Sequence, residues 1–246
     1  MKLPWRDTLR MAVFDIWSDY GHFRRGITTT SPLTYPIPTR TAIAGMVSAI
    51  LGLKRDSYYD LFQEENSAIA VQILNSIKKI TFNQNLIDTK TGFFLWDNEG
   101  QRTQIPYEFL KNPKYRIFVW LEDDKLMDQL CKMITARKTV YTLYMGISEH
   151  IANFKPYKGG CLIAEKKVVS DKVQIHSVIP KGTSQVIIDV NDRESIYGSV
   201  KIPGFINSKR VVKKYIEIYY EEHGKPLTIT QGTYYCVGGE INIIPF

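Results

Sequence analysis

Along the first 170 positions the apolar residues switch repeatedly between a β period and a helical one, and few architectures accommodate that order. Leu9-Arg-Met-Ala-Val-Phe-Asp-Ile-Trp17 is a nearly unbroken apolar run and predicts a strand buried on both faces. Arg40 to Leu53 places Ile43, Met46, Val47 and Ile50 at helical spacing, with Thr39 or Thr41 able to cap its start and Gly52 near its end. Its small residues, Ala42, Ala44, Gly45, Ser48 and Ala49, let such a helix lie close against a sheet. Residues 67–74 and 115–122 predict two more strands. Asp123 can then cap an amphipathic helix with Leu126, Leu130 and Ile134 on one stripe. With 162–169 as a fourth strand the order is βαββαβ, which predicts an α+β, ferredoxin-like (RRM-like) domain over residues 1–170.

Residues 77–106 are polar, rich in Asn, Lys and Gly, and carry Phe93, Phe94 and Trp96. That is long for a plain loop, so an extended hairpin arm is expected. From Lys172 the pattern is mainly β, with strands expected at 173–179, 185–190, 227–237 and 240–244, giving a β-rich region over 171–246 packed on the first. Residues 210–221 fit either class: Val, Ile and Tyr favour a strand, whereas Lys213 and Glu217 have helical pair spacing.

The chain is basic, with 32 Lys and Arg against 25 Asp and Glu and a net charge of +7, which favours polyanionic partners without proving one. Cys131, Cys161 and Cys236 are scattered and odd in number. They supply neither a disulfide framework nor metal-ligand spacing, so no metal site and no cofactor are expected, and three thiols in a reducing compartment are. Neither an apolar signal core near Met1 nor a run long enough to span a bilayer is present, so a soluble, cytoplasmic protein is expected.

Signatures of the common catalytic classes are absent: there is no Walker A loop, no GxGxxG after a strand and no HExxH. Gly146-Ile-Ser-Glu-His150 lacks the second glycine of a nucleophile elbow and predicts a capped short helix instead. The densest chemistry lies in Gly21-His-Phe-Arg-Arg-Gly26, where Arg24 and Arg25, an aromatic ring at Phe23, the His22 imidazole and two glycines fall within six residues. Guanidinium forks suit phosphate oxygens and Phe23 can stack a base, yet a charged surface turn fits this hexapeptide equally well. The hydroxyls of Thr28, Thr29, Thr30 and Ser31 follow, and the chain then enters a helix whose start bears Arg40 and offers free N–H groups to an anion. These devices suit RNA, DNA or a nucleotide alike. On the arm, Lys78, Lys79, Lys90 and Arg102 interleave with Phe93 and the other aromatics, a composition suited to single strands. An arm whose rings merely pack on the domain is the plainer reading. No RNP1 pattern marks the 115–122 strand.

Phe14-Asp-Ile-Trp, then Tyr20-Gly-His-Phe-Arg-Arg, then Ser31-Pro-Leu-Thr-Tyr-Pro-Ile-Pro-Thr-Arg-Thr-Ala-Ile-Ala-Gly-Met-Val-Ser-Ala-Ile-Leu-Gly52 resembles the N-terminal signature of the CRISPR-associated Cas-five family of the RAMP superfamily. Residues 109–120 and 144–152 are similar to later blocks of that family in order and spacing. The resemblance implies a ferredoxin-like domain with a β-hairpin thumb at 77–106. It also implies a place in a type I surveillance complex (Cascade), closest to the I-B kind, where the subunit holds the 5′ handle of the crRNA. The implied partners are the large (Cas-eight) subunit and the first backbone (Cas-seven) subunit, with no membrane and no obligate homo-oligomer. The implied RNA contacts are His22, Phe23, Arg24, Arg25, Thr34, Tyr35 and Arg40, with the thumb residues Lys78, Lys79, Lys90, Phe93 and Arg102. One branch of the family, in type I-C, cleaves precursor crRNA without metal through a tyrosine and a Lys-His pair. Tyr35 could stand for the tyrosine with His22 as the histidine, but no Lys-His dipeptide exists in this chain. Binding is therefore expected, with endoribonuclease activity as the alternative.

Overall fold

The computed structural model describes residues 6–26, 28, 31–87, 102–187 and 194–246. Strand β1 (Thr8–Trp17) is followed by the two-residue β2 (Tyr20–Gly21) and helix α1 (Arg40–Leu51). Next come β3 (Ser67–Ile73), β4 (Lys79–Ile87), β5 (Arg102–Lys111), β6 (Lys114–Leu121), α2 (Asp124–Thr135) and β7 (Asn153–Val168). The rest is β: β8 (Val173–Ile175), β9 (Ile179–Pro180), β10 (Ser184–Ile187), β11 (Tyr197–Ile206), β12 (Val212–Glu221), β13 (Leu227–Val237) and β14 (Ile241–Ile243).

The helices begin and end where local chemistry dictates. Thr39 Oγ1 accepts from Ala42 N at the start of α1, and Gly52 ends it in the left-handed region at φ 74°. Asp123 caps α2, accepting from the Lys125 and Leu126 amides. Four strands form an antiparallel array in the order β7-β1-β6-β3, so each helix connects two strands that are not neighbours. Ile43, Val47 and Ile50 of α1 and Met127, Leu130 and Ile134 of α2 bury against Phe14, Ile16, Val71, Ile117 and Val119 of the sheet. Each such large aliphatic stabilises the fold by about 1.5–3 kcal/mol.

The C-terminal strands join this sheet. β13 pairs with β7 and carries β8, β10 and β14, making eight strands among the described residues. A second apolar cluster, with Met11, Val13, Phe118, Trp120, Tyr235 and Val237, fills the helix-free face. Hairpin β11–β12 crosses to the other side, where Val200, Ile202, Phe205, Ile216 and Ile218 close over the helix-side core. The edge of β3 is covered in turn, because Val178 N and Phe246 N donate to Val71 and Ile69 carbonyls.

Of the two classes open for residues 210–221 the strand is the one found, at Val212–Glu221, and Glu217 pairs across the sheet with Lys181 at 3.1 Å. Other sequence expectations need correction. β11 escaped prediction because Gly198, Pro203 and Gly204 break its pattern; a Cβ on Gly204 would come within 2.6 Å of Ile216. The expected helix at 146–150 is a tight turn, closed by Met145 N donating to His150 O at 2.7 Å. Among the described residues no helix is long and apolar enough to cross a membrane.

Candidate nucleic-acid interface

β4 and β5 pair from Lys79↔Leu110 to Ile87↔Arg102 and form a two-stranded arm. Residues 81–86 are all exposed, so none of the described residues buries this part of the arm. Alternation sorts its side chains. Phe82, Gln84, Leu86, Ile105, Tyr107 and Phe109 share one face, with Phe82 and Leu86 each 38% exposed. At the root this face joins a ring cluster: Tyr107 stacks on Phe109 with centroids 6.0 Å apart, and His150 meets Phe109 edge-on at 5.1 Å. His22 approaches the same ring at 5.7 Å, and Tyr20 meets Phe82 at 5.6 Å.

After β2, residues 22–26 and 31–35 are sewn to that root, and Glu108 of β5 supplies most of the stitches. Its carbonyl oxygen accepts from His22 Nδ1 at 2.7 Å, which sets the imidazole tautomer because a carbonyl cannot donate. Its carboxylate accepts from Thr34 N and from Lys79 Nζ, both at 3.0 Å, and its amide donates to Pro32 O. Within the loop, Phe23 N donates to Thr34 Oγ1 and Tyr35 N to Phe23 O. Gly146 of the 144–151 turn backs onto it at φ 98°, where a Cβ would lie 2.0 Å from His22 O. Tyr115 OH donates to Pro36 O at 2.6 Å and fixes the chain just before α1.

Five residues expected at the RNA surface are therefore inside. His22, Phe23, Thr34, Tyr35 and Arg40 are all buried. Phe23 packs in the core and has no face to offer a base. Arg40 lies under Phe205, 4.6 Å from its ring centroid, and donates to the carbonyls of Phe246, Phe62 and Ser67 and to Ser67 Oγ. Burial pulls its guanidinium down to about 9, so it stays charged at neutral pH as an internal strut. At the α1 N-terminus Thr39 Oγ1 already takes the Ala42 amide, and Thr39 and Arg40 are buried. Burial also lowers His22 and His150 and raises Tyr35, against a protonated imidazole or a phenolate at these positions.

What remains outside is cationic. Arg24, Lys78, Lys111 and Arg102 are exposed with no ion-pair partner among the described residues, whereas Lys79 is shared with Glu108. Arg25 is half-buried over the Tyr35 ring, 5.5 Å from its centroid. Lys90 and Phe93 lie outside the described residues. Phe82, Tyr107, Glu108 and Lys111 did not stand out in the sequence; period-two alternation on an arm with no core to fill is the signal that marks them.

A family profile described as CRISPR-associated protein (Cas_Cas5) matches residues 11–182, more than two thirds of the chain. The chain belongs to that family. None of the curated proteins matches it. Among solved structures, a CRISPR protein from Archaeoglobus fulgidus superposes with TM-score 0.56 at 16% identity, covering 97% of this chain and 100% of its own. A chain of a CRISPR RNA-guided surveillance complex gives 0.47 at 12%, covering 88% and 91%. A chain of a Type III-B Cmr-beta complex bound to cognate target RNA and AMPPnP gives 0.47 at 11%, covering 89% and 86%. Only the first superposition exceeds 0.5, and it places this Cas-five family member in the same β-rich fold with two helices and a curled antiparallel sheet.

Proposed function

We propose that this protein is the crRNA-binding subunit of a type I surveillance complex of the I-B kind, holding the 5′ handle of the crRNA without turning it over. Beside family membership, the observation that carries this reading is the arm. An isolated two-stranded hairpin is marginal in water, yet this one exposes Phe82 and Leu86 above a root ringed by Arg24, Lys78 and Lys111. Flat rings with backbone-neutralising cations are what a single strand needs. The RNA would lie along the arm's apolar face and over Arg24. The Cas-seven and Cas-eight subunits would be its protein neighbours in the cytoplasm, with no obligate homo-oligomer. The β7-β1-β6-β3 order supports reading residues 1–170 as a ferredoxin-like unit. Residues 171–246 extend it through β13.

The test is fluorescence anisotropy with repeat-derived 5′-handle RNA across a salt series. Combined Arg24→Glu, Lys78→Glu and Arg102→Glu should weaken binding and lower the slope of log K against log salt by about 0.7 per lost contact. Unchanged affinity and slope would overturn the surface. The endoribonuclease alternative needs Tyr35 and His22 at a phosphodiester, and both are buried. Site-specific cleavage of labelled repeat RNA in EDTA, leaving a 2′,3′-cyclic phosphate, would reverse that choice.

A further inference from the structure

At the foot of the arm, on the helix-free face of the sheet, lies a polar pocket of about 360 Å³ lined by Trp17, Ser18, Asp19, Asn75, Asn112, Lys114 and Lys155. Strand register explains its composition. Trp17 is the cross-strand partner of Lys114 on β6, and Lys155 on β7 is the partner of Asp15, two residues before Trp17 on the same face. The indole is thus flanked by an ammonium group on each neighbouring strand. The floor is braced by its own bonds. Ser18 N donates to Pro113 O, Asn112 N to Asp19 O at 2.7 Å, and Asn75 Nδ2 to Asn112 O at 3.1 Å.

The bracing leaves a particular set of groups free. Neither Lys114 nor Lys155 has an ion-pair partner among the described residues, and the Asn112 side-chain amide and Asp19 carboxylate make no hydrogen bond there. The pocket therefore offers a flat ring, two unpaired cations, amide groups that both donate and accept, and one carboxylate acceptor. Elsewhere on this face, by contrast, Arg116 is held bidentate by Asp15 at 2.7 and 3.2 Å and covered by Tyr157.

We infer that this pocket takes one nucleotide unit, base against Trp17 and phosphate between Lys114 and Lys155. Base stacking on the indole supplies affinity without sequence preference. Asn75 Oδ1, the Asn112 amide and the Asp19 carboxylate face the base edge and ribose hydroxyls. A volume of about 360 Å³ sits at the small end of the roughly 300–1,000 Å³ range of ligand pockets. The same chemistry serves an unpaired nucleotide flipped out of a bound RNA or a free nucleoside monophosphate. The RNA source rests on the binding reading above, and Asn112 follows the arm strand β5 directly, so a strand leaving the arm root reaches the pocket at once.

Ultraviolet crosslinking of the full chain to 5′-handle RNA, with peptide mapping, tests the RNA source. Titration with AMP and UMP, followed by calorimetry, tests the free one. The expected result is an RNA crosslink on the peptide containing Trp17, lost in Lys114→Glu/Lys155→Glu, which should also bind RNA about tenfold more weakly. The arm variant described above should lower affinity yet keep the Trp17 crosslink at saturating RNA. If RNA binds but crosslinks only to arm and loop peptides, and the lysine variant binds as the parent does, the pocket is overturned while the binding reading stands. If RNA does not bind at all, mononucleotide binding abolished by the lysine variant supports the free source, and no mononucleotide binding overturns the inference. Lys114→Gln/Lys155→Gln, checked by its melting curve, replaces the charge-reversal variant if that one fails to fold.

Discussion

Arg40 separates two accounts of the same residue, because a phosphate contact and an internal strut respond oppositely to Arg40→Met. Burial lowers the guanidinium from its ordinary value to about 9, so holding the charge inside already costs on the order of 5 kcal/mol relative to water. That cost is offset by its donors reaching Phe246 O, Phe62 O, Ser67 O and Ser67 Oγ. Methionine removes the charge and keeps most of the volume, but it leaves the Phe62 and Phe246 carbonyls with no other hydrogen-bond donor from the described residues. Orphaned buried acceptors cost about 1–3 kcal/mol each, and losing the charge-assisted bonds and the Phe205 contact adds to this. Relief of the burial penalty cancels part, so a net loss of about 3–5 kcal/mol is expected, as for other broken buried networks. In a chain of this size that is roughly 6–20 °C in Tm. Arg40→Lys keeps the charge but cannot span both carbonyls and should lose about half as much. The assay pairs thermal melts with handle-RNA binding measured well below the transition, where affinity should equal that of the parent. A variant that melts like the parent but no longer binds RNA would show that the guanidinium touches RNA and refute the strut.

Two further outcomes follow from the arm root. Burial lowers both His22 and His150 from 6.5, and Arg24 pushes His22 the same way while Glu108 opposes it. Their contribution to stability is therefore complete above about 6.5 and is lost as pH falls through their folded values, as the unfolded chain takes up protons first; His22→Asn should flatten the Tm-versus-pH curve between pH 7 and 5, and an unchanged slope would sink this. Gly146→Ala should destabilise the protein by about 1–3 kcal/mol through backbone strain alone and expose residues 22–35 to limited proteolysis, because the new methyl would strike His22 O; a native cleavage pattern would contradict the close approach.

Much of the fold was legible because its signals are local. Thr39, Gly52 and Asp123 mark helix ends by chemistry that acts within one turn, the apolar periods named the four central strands, and the length of the polar 77–106 stretch named the arm. The site was less legible because exposure is decided at a distance. Arg40 stands in a basic, hydroxyl-rich stretch, but Phe205 and Phe246, far along the chain, close over it. Phe23 looks like a stacking ring and Tyr35 like an RNA contact until the 144–151 turn and the arm root enclose their loop. Trp17 hides for the opposite reason. It ends an apolar run and invites a core assignment, and only the register with Lys114 shows that it opens onto a polar pocket.

Glu108 gives the arm a mechanical property. Backbone and side chain of this one residue hold Pro32, Thr34 and His22 on one side and Lys79 on the other, so the arm and the Tyr20–Tyr35 loop share a fulcrum. Both surfaces lean on this one residue, so its loss would loosen the arm root and the loop together. The ordering entropy of that junction is met when the chain folds, before any ligand arrives.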